Sequence, residues 1–168
     1  TQAGQLAVWA ALAARKSGHA VKMRLDRQDD MLITGKRHPF DHQWQVGFDE
    51  QGRLLALDSV QMVDCGRSAD LSGPVADRAM FHTDNAYWLP AVRIVSHRCK
   101  THTQSHTAFR GFGGPQGMLL IETIMGDVAR NLGKDPLDVR LANLYGQGER
   151  DITPYGMKVE HPILSDLM

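Results

Sequence analysis

One stretch constrains this chain more than any other: Thr107-Ala-Phe-Arg-Gly-Phe-Gly-Gly-Pro-Gln116, followed at once by a long apolar helical pattern. It holds three glycines, two phenylalanines and an arginine in ten residues. Glycine has no Cβ, so such a loop can turn through positive φ and can let a bulky group approach its backbone. Pro115 suits the first position of a helix, because its missing N–H is not needed there. The spacing therefore predicts a helix over 115–132 that opens at the loop. Gln116 and its successors would offer free N–H groups, and a helix N-terminus of that kind favours anions and polar groups. A glycine-rich turn whose phenylalanines plug a core fits the same letters. Gly111-Phe-Gly-Gly114 lacks the spacing of a dinucleotide fingerprint.

The rest of the chain reads as α+β. An alanine- and leucine-rich helix is expected over 2–17, with Leu6, Trp9 and Leu12-Ala13 on a shared face and a stop at Gly18. A short strand is expected at 21–25, where apolar and polar residues alternate, then a helical turn opening at the acidic cluster of Asp26, Asp29 and Asp30. Trp44, Val46 and Phe48 share one face of a strand over 42–48. Asp49-Glu-Gln-Gly52 is a hairpin connection, and the return strand, 53–65, carries apolar residues on both faces, as a central strand does. A helix over 74–82, a turn with aromatic anchors at 87–90 and a further strand over 92–101 precede the loop. In the 115–132 helix, Met118, Ile121, Met125, Val128 and Ala129 keep the 3.6-residue period, with Glu122 their one polar member. Asp135-Pro136 starts another helix, with Asp138 in its favoured first turn. A polar loop follows over 146–156. The fold class is α+β: a hairpin-based mixed or antiparallel sheet with helices packed on it, rather than a regular βαβ alternation.

Composition narrows the classes of function. Lys plus Arg and Asp plus Glu both number 19, so the formal charge is zero, without the basic excess of a nucleic-acid binder. No apolar run approaches the roughly 20 residues of a membrane span. The two cysteines, Cys65 and Cys99, lack zinc spacing, and a reduced, cytoplasmic setting is the simplest expectation. His38 and His42, like His102 and His106, are four apart, but in loop context without an acidic partner at motif spacing. A chain of 168 residues fits one domain or one piece of a larger one. Both ends look cut from a longer polypeptide, so residues 1–168 are expected to be a single partial domain.

Four stretches together resemble the molybdenum-binding part of the xanthine dehydrogenase family. They are Leu25-Asp-Arg-Gln-Asp-Asp-Met-Leu-Ile-Thr-Gly-Lys-Arg-His-Pro-Phe40, Asp77-Arg-Ala-Met-Phe-His-Thr-Asp-Asn-Ala-Tyr87, the 107–118 loop and Arg140-Leu-Ala-Asn-Leu-Tyr145. The resemblance spans nearly the whole chain in unbroken order. It implies a fragment of an oxidoreductase that hydroxylates hypoxanthine and xanthine toward urate at a molybdenum–molybdopterin centre. FAD and 2Fe–2S clusters would sit on other domains or subunits. By the same resemblance, Arg78 faces the substrate's oxygen and Phe112 packs on the purine ring. Arg110 contacts the molybdenum cofactor through its backbone, without being a side-chain ligand. Phe109, Gly111, Gly113 and Gly114 support that contact. Relatives that oxidise aldehydes tend to lack the arginine, so Arg78 favours a purine; an aldehyde-oxidising relative and a non-catalytic interaction module are the alternatives. The family's two active-site glutamates fall outside these residues, one just upstream of Thr1 and one far downstream. The isolated chain is therefore expected to be inactive, to hold the cofactor poorly and to self-associate through apolar surface left uncovered.

Overall fold

The computed structural model describes residues 2–146 and 148–167; Gln147, inside the stretch read as polar loop, lies outside them. Chain order is α1 (Gln2–Ser17), α2 (Arg27–Ile33), β1 (Phe40–Phe48), β2 (Leu54–Gly66), α3 (Ser72–Phe81), β3 (Val92–Lys100), α4 (Gly114–Leu132) and α5 (Pro136–Asn143). A short 3₁₀ turn, Gly148–Arg150, and α6 (Leu164–Leu167) complete it. The three strands form one sheet in the order β1-β2-β3. β1 and β2 are the expected antiparallel hairpin, whereas β2 and β3 run parallel. A parallel neighbour cannot be reached by a tight turn. Here α3 lies in the crossover between them, so the sheet is mixed and β2 is central.

The core forms where α4 lies against this sheet. Leu120, Ile121, Ile124, Met125, Val128 and Ala129 pack with Leu54 and Leu57 of β2, Tyr87, Leu89, Val139 and Leu144. Trp44, Val46 and Phe48 close the β1 side. Met118, expected on the buried face, is 37% exposed, because Gly117 takes the inward position beside it. β2 also departs from its expected two apolar faces. Leu55 is exposed, while Ser59 and Gln61 are buried among Leu57, Val63 and Cys65. Gln61 is tolerated there because its Nε2 donates to the Thr83 hydroxyl at 2.8 Å, and that hydroxyl donates to the Ala79 carbonyl at 2.9 Å.

Polar residues tie the pieces together. Buried Asn143 accepts from the Leu54 N–H and donates to the Gly52 and Val139 carbonyls, each at 2.8 Å, which fastens the hairpin turn to α5. Glu122 is a hub between α4 and α5. One carboxylate oxygen accepts from the Tyr87 hydroxyl at 2.6 Å and from Asn85 at 3.1 Å; the other accepts from Arg140 Nε at 2.9 Å. Helix boundaries follow local chemistry. Asp26 caps α2 and Asp135 caps α5 with side-chain acceptors, and Gly133 ends α4 in the left-handed region.

One reading fails at the N-terminal side. Residues 21–25 form no strand. Alternation gives a strand only where a neighbour supplies its hydrogen bonds, and Val21 and Met23 are exposed. The face shared by Trp9 and Leu12 on α1 is likewise open, at 43% and 52% exposure. The acidic cluster, by contrast, is built into structure. Asp26 is a cap, and Asp30 pairs with Lys36 at 3.2 Å. Bonds from Thr34 and Lys36 hold the Asp30 carboxyl below its ordinary range. The helix expected at 74–82 starts earlier, at Ser72, with Pro74 inside its first turn.

Candidate functional site

The glycine-rich loop joins β3 to α4 and is entered through two backbone bonds. The His106 N–H donates to the Cys65 carbonyl and the Thr107 N–H to the Lys36 carbonyl, both at 3.1 Å. It then turns through three successive positive φ values: Gly111 at 90°, Phe112 at 49° and Gly113 at 93°. For a bulky side chain such as that of Phe112 this is a rare conformation. The Phe112 N–H bonds back to the Phe109 carbonyl at 2.7 Å, and the Gly114 N–H to the Gly111 carbonyl at 2.9 Å.

The start of α4 differs from the expectation drawn from Pro115. Gly114 is the first helical residue and Pro115 the second, with Gly113 as the cap. No free N–H cluster results. Gln116 and Gly117 both donate to the Gly113 carbonyl, and Gly114, Gln116 and Gly117 are buried. What the glycines permit instead is contact with α3. A Cβ on Gly113 would fall on the Val75 carbonyl, and one on Gly117 on the Ala79 carbonyl. Spaced four apart on one helix face, these two residues let α4 cross α3 backbone against backbone. At Gly111 a Cβ would meet the Pro115 ring at 2.5 Å.

That crossing brings Arg78 to the loop. Arg78 stands in the last turn of α3, and its Nε is 3.8 Å from the point a Gly114 Cβ would occupy. His82 lies beside the same point. The neighbouring Asp77 is paired to Arg98, so it is not available to Arg78. Among the described residues the exposed Arg78 guanidinium has no hydrogen bond or ion pair. The exposed Arg110 side chain is equally unpaired. Phe109 is 56% exposed and Phe112 half-buried. The structure thus gathers Arg78 and Gly113–Gly114 at the helix end of the loop, and places Phe109 at its other end.

Several residues of this site carried no signal of their own. Arg37 donates from Nη2 to the Arg110 carbonyl at 2.6 Å, and its guanidinium lies 4.5 Å from the centroid of the Phe109 ring. Buried Gln116 donates to the His38 carbonyl at 3.2 Å, while its Oε1 is buried without a partner. His38, one of the paired histidines, is 2% exposed and bonded through Nε2 to Ser72 Oγ at 2.8 Å. Burial, then the neighbouring His106, pushes its pKa down. His106 lies 3.6 Å from Asp64. Burial alone would raise the Asp64 pKa, but bonds from Thr101, Gly66 and His106 outweigh it and leave the carboxyl below its ordinary range. A cavity of about 830 Å³ opens beside the loop, lined by Arg27, Lys36, Arg37, Leu71, Thr107 and Phe109 among others.

No three His, Cys, Asp or Glu side chains converge on one point among the described residues. The described residues thus present no ligand set for a bare metal ion. It presents an exposed turn, with the Arg37 Nη1 donor buried and unpartnered beside it and two unpaired arginines nearby. Those features fit a metal carried on an anionic organic cofactor, for which protein supplies position and charge.

Comparison with known proteins agrees. The family model for the molybdopterin cofactor-binding domain matches residues 1–144, and the chain belongs to that family. The xanthine dehydrogenase/oxidase of Gallus gallus is 49% identical over 150 residues, which are 89% of this chain and 11% of that protein. The nicotinate hydroxylase hnxS of Emericella nidulans is 42% identical over the same shares. Among solved structures, the aldehyde oxidoreductase of Desulfovibrio gigas superposes with a TM-score of 0.78 at 32% identity, over 86% of this chain and 16% of that one. The chain thus spans about a ninth of the length of the curated relatives it matches.

Proposed function

We propose that this chain forms one wall of the molybdenum site of a xanthine dehydrogenase, an enzyme that hydroxylates hypoxanthine and xanthine toward urate. The observation that carries the reading is Arg78, a guanidinium with no carboxylate of its own, held against the start of α4 where the glycine-rich loop ends. A cation there stabilises negative charge that develops on a purine oxygen. Phe112 supplies an apolar face for the purine ring. The backbone at Arg110, with Phe109, Gly111 and Gly113 shaping the turn, would contact the cofactor. The molybdenum–molybdopterin group, when bound, supplies the two-electron oxidation. FAD and 2Fe–2S clusters belong on other domains or a partner subunit.

Residues 1–168 are one partial domain in this reading, and the isolated chain is inactive, since the general base is not among them. No described helix is long and apolar enough to cross a membrane, and a cytoplasmic setting is proposed. Exposed Val8, Trp9 and Leu12 of α1 and Met31 and Leu32 of α2 support self-association of the isolated chain. A monodisperse monomer in light scattering would remove that part.

The aldehyde oxidoreductase likeness sustains a second reading, in which the same wall serves an aldehyde. The test is a longer polypeptide carrying this chain, assayed for molybdenum and for xanthine-dependent dye reduction. Bound molybdenum with purine activity, cut roughly 10²–10³-fold by Arg78→Met, is expected. Molybdenum with activity on aldehydes alone moves the assignment to the second reading. No molybdenum in a folded protein points instead to a non-catalytic interaction module.

A further inference from the structure

Two loops meet at one guanidinium. Residues 34–39 join α2 to β1, and the glycine-rich loop joins β3 to α4. Arg37, in the first, reaches across 73 positions of sequence to the second. Its neighbours on both sides are pinned. Lys36 Nζ donates to the Asp30 and Thr34 carbonyls at 2.8 and 3.2 Å, and the Lys36 carbonyl accepts from Thr107. His38 is held by Ser72 through its ring and by Gln116 through its carbonyl. The stem of Arg37 therefore rises from a rigid base tied to α2, α3 and α4.

The far end of Arg37 does two things at once. Nη2 donates to the Arg110 carbonyl, and the guanidinium carbon lies over the Phe109 ring. Beyond the entry bond at Thr107, the other backbone bonds of residues 108–112 are turns within the loop. Such a segment would sample several geometries if left to itself, the more so because Phe112 sits in an unfavourable region of φ. A planar, delocalised cation can stack and donate together, which an ammonium cannot. The bond is charge-assisted, although it lies at the exposed surface of the loop.

We propose that Arg37 is a positioning residue for the glycine-rich loop. It fixes the Arg110 carbonyl and the Phe109 ring, so that the backbone over 109–112 meets the cofactor in one geometry. The cofactor half of this inference rests on the function proposed above; the loop half does not.

The experiment separates the two halves. Amide hydrogen exchange is followed on the intact chain, for wild type, Arg37→Gln, Arg37→Lys and Phe109→Leu. Arg37→Gln is expected to speed exchange at the Phe112 and Gly114 amides about tenfold or more, with Ile124 and Met125 in α4 unchanged. Arg37→Lys should recover part of the protection, and Phe109→Leu should lose part. Unchanged protection at Phe112 and Gly114 overturns the proposal. An equal rise at every amide does so too, since it reports general loosening. In the longer polypeptide, Arg37→Gln is expected to lower molybdenum occupancy about 10-fold or more under limiting cofactor. Full occupancy in that variant, beside a loaded wild type, overturns the cofactor half. A wild type without molybdenum sinks the proposed function instead, and the exchange data still decide the role of Arg37.

Discussion

The two ends of the glycine-rich loop are built on opposite terms. At the helix end, Gly113 and Gly117 press α4 onto the backbone of α3, with Gly114, Gln116, Val75 and Ala79 buried around them. At the other end, Phe109, Arg110 and Gly111 are exposed, and one arginine from a distant loop bonds the Arg110 carbonyl and lies over the Phe109 ring. The first end is an interior contact that tolerates no added atom. The second is a surface whose shape matters only if something binds there. One run of glycines thus serves two needs, an interior helix contact and an exposed turn.

The contrast is broken most severely at Gly117. Gly117→Ala places a methyl on the Ala79 carbonyl, and a loss of about 3 kcal/mol or more is expected in urea denaturation. A loss below about 1 kcal/mol would show that α3 and α4 can part without cost. Glu122→Gln, also on the packed side, removes the charge that Arg140 faces and weakens the bonds to Tyr87 and Asn85. About 1–2 kcal/mol should be lost, because the hub is only half-buried.

A smaller effect appears as a dependence on pH. Burial raises the pKa of Asp84, just beyond α3, and outweighs the Tyr145 hydroxyl that donates to it at 2.6 Å. The folded chain therefore binds this proton more tightly than the unfolded chain. That stability is fully present below the unfolded value of about 3.9 and is lost as pH rises through the folded one. Asp84→Asn should then compare worst with wild type in acid and progressively better toward neutral pH, in denaturation series over that range. A pH-independent difference would show that the carboxyl is not desolvated. At the exposed, unpaired Arg78 side chain the expected stability effect is smallest. Arg78→Met should change stability by less than about 0.5 kcal/mol, since it breaks no bond within the chain, while altering the chemistry proposed for the site. A larger loss would make Arg78 a structural cation.

Much of this was legible along the chain. The hairpin announced itself through alternation at Trp44, Val46 and Phe48 and the turn at Asp49–Gly52, both of which are local signals. The helix starts at Asp26 and Asp135 and the stop at Gly133 were equally local. The misreadings share a cause. Residues 21–25 alternate like a strand, but no neighbouring strand pairs with them. β2 reads as apolar on both faces until Leu55 is seen exposed and Gln61 buried on the Thr83 hydroxyl. Pro115 reads as the opening of an anion-binding helix until Gly113 and Gly114 are seen to start the turn and consume its donors.

The sequence by itself determined most of the elements, the β1–β2 hairpin and the membership signalled by the loop and its companion stretches, because each depends on neighbours a few positions away. Only the tertiary structure decided what the glycines touch, that Asp77 is taken by Arg98 while Arg78 stays unpaired, and that Arg37 reaches the Arg110 carbonyl 73 residues away. These are contacts between segments distant in the chain. Composition and periodicity cannot fix them, because which donor meets which acceptor is set by the packing of α3 and α4 on the sheet.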